Sequence, residues 1–152
     1  MMTTDINERL DALCDKLGQK SLNYDVKIHL YASPGMAGSS LVEIVTTALG
    51  HSVVVGGAES SASSMLVESL KAGLEYSGDD GSHPNRAFLS GVEFSVSKAE
   101  VLALFSDFLE DADRVVSFWL KEGHPFYPVF WDFAYTIEKG DDAYVFIGSS
   151  SD

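Results

Sequence analysis

Cysteine occurs once in this chain of 152 residues, as Cys14, so no intramolecular disulfide can form. Small secreted domains lean on such bridges, and a chain without them reads as cytoplasmic. Basic residues are also scarce: 10 Lys and Arg stand against 23 Asp and Glu, a net charge of −13. They form no cluster, which argues against direct binding to a nucleic-acid backbone or an anionic membrane. No apolar run approaches the ~20 residues that cross a bilayer. The opening stretch, residues 1–20, lacks the basic-then-apolar order of a signal peptide.

Recognisable chemical motifs are missing too. Gly35-Met36-Ala37-Gly38-Ser39-Ser40 is glycine-rich, but it has neither the lysine nor the glycine spacing of a phosphate loop, and it reads as a plain loop. No CxxC and no histidine pair one helical turn apart is present, so no metal site and no cofactor is predicted. Serine and histidine recur, but none sits in a GxSxG nucleophile motif. The strand–strand–helix pattern before Ser63 is superficially similar to a double-stranded-RNA-binding domain. Glu59, Ser60, Ser61, Ser63 and Ser64 stand where that family needs lysines, which excludes it.

What is present is a composition with 45% hydrophobic residues, enough for one folded domain over 1–152. Ile6, Leu10, Leu13 and Leu17 form a helical stripe from Asp5 to Leu17, with Cys14 as a small buried hydrophobe beside it. Asp25–Ala32 alternates as a half-buried strand. The β-branched residues of Leu41–Ala48 favour a strand over the competing helical period, and Ser52–Val55 follows as another. Ser60–Tyr76 reads as a helix, and Val92–Val96 alternates as a strand. Ser97 and Glu100 make a capping box for one long helix, Lys98–Glu122. Val129–Glu138 and Ala143–Ile147 form a closing hairpin around Lys139–Asp142, and residues 148–152 read as a flexible tail.

The resulting fold class is α+β, in the order α-β-β-β-α-β-α-β-β. Hairpin-length connections imply a largely antiparallel sheet of about five to six strands, with helices on one face.

Two surfaces are candidates for function. In the long helix, Leu104 and Phe118 fall outside the apolar stripe, among Asp107 and Asp111, which repel each other one turn apart. An acidic rib carrying two outlying hydrophobes is the pattern of a partner-binding face. Residues 77–152 hold −9 of the −13 charge, which would steer a basic partner. The leading expectation is an acidic, non-enzymatic protein-binding module, comparable in size and charge to small bacterial immunity and inhibitor proteins, that neutralises or regulates a basic partner. A homodimer that buries Leu104 and Phe118 is a variant of this reading.

The alternative is a small-ligand-binding or hydrolytic pocket near His124, Tyr127 and Asp132. Asp132 sits mid-strand among large apolar residues, where a carboxylate needs donors or water. His124 could reach it if the Pro125–Pro128 segment folds back.

Overall fold

A computed structural model describes residues 2–152. Ten elements run along the chain: α1 (Met2–Gly18), β1 (Asp25–Ser33), α2 (Leu41–Leu49), β2 (Val54–Ser60), α3 (Ser63–Leu74), α4 (Arg86–Leu89), α5 (Val92–Leu109), β3 (Arg114–Glu122), β4 (Trp131–Lys139) and β5 (Asp142–Ser151). The five strands form one sheet in the order β1-β5-β4-β3-β2, and every neighbouring pair is antiparallel. The α+β class and the antiparallel sheet agree with the sequence reading. No helix among the described residues is long and apolar enough to cross a membrane.

Strand alternation divides the core in two. Val26, Ile28 and Leu30 of β1, Val115 of β3, Tyr135 and Ile137 of β4 and Phe146 of β5 face a layer built by α1, α3 and α5. In that layer lie Ile6, Leu10, Leu13 and Leu17 of α1, the stripe expected from sequence, together with Phe105 and Phe108 of α5. The opposite face carries Phe118, Ala134, Ala143, Val145 and Ile147, and α2 covers it with Ile44 and Val45. Helices therefore flank both faces, where one was expected.

Three elements depart from the sequence reading, each for a physical reason. Leu41–Leu49 is a helix. Ser40 accepts from Glu43 N–H while the Glu43 carboxylate reaches back to the Ser40 amide, and Gly50 closes the end in the left-handed region at φ 76°. Those two caps outweigh the strand preference of Val42, Thr46 and Thr47.

Val92–Val96 is the first turns of α5, not a strand, since Phe94 belongs to the stripe that continues through Val101, Phe105 and Phe108. Glu100 does not cap Ser97; its carboxylate meets Arg9 of α1 at 2.7 Å.

The helix then stops at Leu109, and Arg114–Glu122 is strand β3. Asp107, Glu110 and Asp111 crowd negative charge at the helix C-terminus, where the helix dipole disfavours it. Val115 and Val116 favour extended backbone, and the Asp113 amide already donates to Glu138 O at 2.7 Å.

Residues 148–151 are not a tail. Gly148, Ser149 and Ser150 pair with Ile28, Lys27 and Val26, and both serines are buried.

Candidate functional site

The eight-residue connection from β3 to β4 is anchored at both ends. At its start Gly123 takes φ 90°, and a side chain there would strike the Ser52 carbonyl oxygen at 2.6 Å. His51 Nε2 lies 2.6 Å from the Gly123 carbonyl, which accepts from it. At its end the Val129 and Phe130 amides both donate to Ser150 O, at 2.8 and 3.1 Å. Between these anchors the segment folds back over the α2 side of the sheet, where Phe126 packs onto the Ile147 cluster.

That fold-back brings His124 to Asp132, as the sequence reading required. His124 Nε2 stands 3.8 Å from Asp132 Oδ2, with the imidazole largely buried and the carboxylate half-exposed. The Phe126 amide donates to His124 Nδ1 at 3.1 Å, so in the neutral ring the proton lies on Nε2. Nε2 is buried and has no hydrogen-bond partner, because 3.8 Å to Asp132 is beyond bonding range. Burial holds His124 below the ordinary histidine value of 6.5, and the Asp132 carboxylate pulls the other way. Tyr127 does not join them: it is 77% exposed. The third member of the expected pocket is therefore absent from it.

Asp132 belongs to a polar row across the sheet. Its register partner on β5 is Ser149, and Ser149 pairs in turn with Lys27 on β1. Directly opposed residues share a face, so Lys27, Ser149 and Asp132 line up one row away from His29, Ile147 and Ala134. Ser149 in the middle of the row is buried, while Asp132 at its end is half-exposed beside the folded-back segment.

Where that row meets α1, a groove of about 590 Å³ opens. Asp11 and Asp15 from α1 and Asp25 from β1 supply carboxylates, with Lys27 as one cation. His29, Tyr31 and Phe126 supply aromatic surface, and the His29 and Tyr31 rings lie 4.4 Å apart. Burial lowers the pKa of His29 below 6.5, so at neutral pH it adds no positive charge to the groove. Burial, with Asp11 next, pushes the Cys14 thiol up to about 12, which makes it a packing residue rather than a nucleophile. The groove is not legible in the sequence. Its parts are far apart in the chain, and Asp11 and Asp15 look like ordinary solvated positions on an amphipathic helix.

The acidic rib expected on one long helix is dispersed. Phe118 lies on β3 and is 3% exposed, a core residue of the α2 face rather than a contact surface. Leu104 is partly buried against the main core and borders a shallow hollow with Asp5, Glu8, Arg9 and Ala12. Asp107 is exposed near the end of α5. Asp111 lies beyond that end, and Lys139 Nζ reaches it at 3.1 Å, a hydrogen bond that lowers its pKa. Asp107 and Asp111 therefore do not lie side by side on one long helix as expected; they crowd the end of a shorter one.

The glycine-rich loop is occupied by the chain itself. The Gly38 amide donates to Glu138 Oε1 at 2.6 Å and the Gly35 amide to Asp142 Oδ1 at 2.8 Å. Those carboxylates take the place an anion would need, which agrees with a plain loop. Among the described residues no group of three or more His, Cys, Asp or Glu side chains could hold a metal ion.

No protein-family model matches the chain, and no curated protein matches it in sequence. Among solved structures it is similar to the crystal structure of citrus MAF1 in space group C 2 2 21, with a TM-score of 0.55. The likeness covers 95% of this chain and 98% of that one at 12% sequence identity. At that identity it is a likeness of fold.

Proposed function

We propose that this chain is a protein-binding module that captures a cationic surface of its partner, in the manner of an inhibitor or immunity protein acting in the cytoplasm. The observation that carries this reading is the surplus of unpaired carboxylate and where it gathers. Six of the ten Lys and Arg side chains hold a carboxylate within 4 Å: Arg9, Lys16, Arg86, Lys98, Arg114 and Lys139. Among the described residues this leaves seventeen of the 23 acids without such a partner. Three of those, Asp11, Asp15 and Asp25, border the groove of about 590 Å³, beside Tyr31 and Phe126. A carboxylate rim over aromatic walls suits an Arg or Lys side chain, which can meet charge at its tip and ring faces along its stem.

The test is titration of a fluorescein-labelled peptide rich in arginine and lysine, against a glutamine-substituted peptide of the same length. The cationic peptide should bind and weaken steeply with salt. Asp11→Asn with Asp15→Asn should weaken it further. Equal binding of the two peptides would end the reading.

A small-ligand or hydrolytic site has one observation in its favour, the approach of His124 to Asp132. With Tyr127 turned to solvent, it lacks a third group to position a substrate.

A further inference from the structure

The two edges of the sheet are finished in different ways. The β1 edge is flanked by α1, whose Asn7 side chain bonds both backbone polar groups of Leu30, at 2.9 and 2.8 Å. The β2 edge has no such cover. Among the described residues β3 is the one element that packs substantially against β2. An uncovered edge presents a row of unpaired backbone donors and acceptors to any extended chain.

Part of this edge is regular enough to serve as a template. The β2–β3 register is irregular between Val54 and Gly57, then continuous as Gly57↔Trp119, Ala58↔Phe118, Glu59↔Ser117 and Ser60↔Val116. The Ser61 amide donates to Val115 O at 2.9 Å. Antiparallel pairs alternate, so Gly57 and Glu59 also turn their backbone groups toward β3. Ala58 and Ser60 then direct theirs to the open side.

Beside that edge lies an aromatic platform. The Trp119 indole rests over the backbones of Gly56 and Gly57: an added Cβ would fall 2.4 Å from Nε1 at Gly56 and 2.1 Å from the ring at Gly57. Trp119 is nevertheless 55% exposed. The two glycines let the ring lie flat across the edge strand, with its outer surface open. Glu59 is exposed on the same face, two positions along, as its register with Ser117 requires. Lys121 borders Gly56 at the other end, its Cγ 3.2 Å from where a Cβ would stand.

We infer that the Gly57–Ser60 edge of β2 accepts an extended segment of a partner protein as a sixth strand, with Arg or Lys side chains of that segment over Trp119 and beside Glu59. The inference rests on the reading of this chain as a protein-binding module for cationic partners. Backbone pairing to Ala58 and Ser60 would supply affinity, and the Trp119–Glu59 face would select the cation. Lys121 sets the register by disfavouring a cation opposite Gly56. A second copy of this chain is the poorer occupant, because two chains of charge −13 repel each other.

The probe is a nine-residue peptide alternating arginine and threonine, titrated into the full ¹⁵N-labelled chain. The amides of Ala58 and Ser60 should shift and exchange with solvent more slowly, while a glutamate–threonine peptide leaves them unmoved. N-methylating every second peptide amide should weaken binding at least about tenfold in one frame and little in the other, because strand pairing uses alternate amides. Ala58→Pro removes a donor from the open side without touching the β3 ladder, and it should match the damaging frame. If Ala58→Pro fails to fold, the N-methyl peptides decide alone. Equal binding in both N-methyl frames would overturn the inference. Shifts confined to Asp11, Asp15 and Asp25 would overturn it while leaving the cationic-partner reading intact. No interaction of the arginine peptide at low salt would remove both. A dimer in sedimentation that Ala58→Pro abolishes would replace the partner segment with a second copy, and so overturn it as stated.

Discussion

The Asn7 carboxamide substitutes for a missing strand at Leu30. Its Nδ2 donates to Leu30 O at 2.9 Å, and the Leu30 amide donates to Asn7 Oδ1 at 2.8 Å. Both bonds are partly buried at the edge of the sheet, so losing them leaves a donor and an acceptor unpaired and partly shielded from water. Asn7→Ala should destabilise the fold by about 2–4 kcal/mol, since each unsatisfied buried group costs about 1–3 kcal/mol and water recovers part of it. Asn7→Asp keeps the acceptor but loses the donor, and should be similarly damaging at neutral pH. Urea unfolding of both variants checks this. A loss under about 0.5 kcal/mol would show that the edge closes without Asn7.

That contact helps explain what was legible in the sequence. The α1 stripe of Ile6, Leu10, Leu13 and Leu17 was readable because four large residues at helical spacing have one packing solution. The β1 alternation and the β4–β5 hairpin were readable for the same reason, at period two. The pairing of Asn7 with Leu30 was not, because it spans 23 residues and neither residue belongs to a motif.

The long helix misled for a more particular reason. Phe108, Ala112, Val116 and Trp119 keep helical spacing by coincidence across the break at Glu110–Asp113. Periodicity alone continued the helix, while the acidic C-terminal turn and the paired valines 115 and 116 argued against it. In Leu41–Leu49 the balance is reversed: the cap at Ser40 and Glu43, which is present in the sequence, outweighs the β-branched residues. The sequence offers His124 and Asp132 as a pair, yet their meeting depends on Gly123, His51 and Ser150, contacts that only the folded chain assembles.

Phe108 remains the most informative core position even though its helix is shorter than expected. Its ring meets Phe105 and Tyr144 edge-on, at 5.7 and 4.9 Å, and Lys139 Nζ lies 4.2 Å from its centroid. Lys139 also donates to the Phe108 carbonyl at 2.7 Å. Phe108→Ala should cost about 3–5 kcal/mol, the range for deleting a buried aromatic. Phe108→Leu should recover most of that in denaturant unfolding. Nearly equal losses for the two would mean that the aromatic contacts, not buried volume, dominate at this site.

Direct nucleic-acid binding should be absent. Four Lys side chains, Lys20, Lys27, Lys71 and Lys121, lie outside the ion pairs among the described residues, and they are spread over α1, β1, α3 and β3 or their flanks. A phosphate backbone needs several cations along one track. Filter binding to single- and double-stranded DNA and RNA at low salt is the stringent measurement, and saturable retention there would contradict the charge argument.

Acid should weaken the fold. Burial is the first cause holding both His29 and His124 below 6.5 in the folded chain, with Asp11 and Asp132 respectively opposing it. An unfolded histidine titrates at about 6.5. Above that pH both states hold neutral rings, and the full stability is present. As pH falls below it, the unfolded chain takes up protons that the folded chain resists, so the unfolded state gains and stability drops. The drop ends once pH passes the depressed folded values, where both states are charged. Urea midpoints should therefore fall between pH 7.5 and pH 5.5, a window above the ordinary carboxylate range. His29→Gln with His124→Gln should flatten that slope, because glutamine takes no proton in either state. NMR titration of the ring protons assigns the effect to each residue, with both midpoints expected below 6.5. A midpoint above 6.5 at His124 would mean that Asp132 outweighs burial, and the 3.8 Å approach would then act as an ion pair that strengthens on acidification.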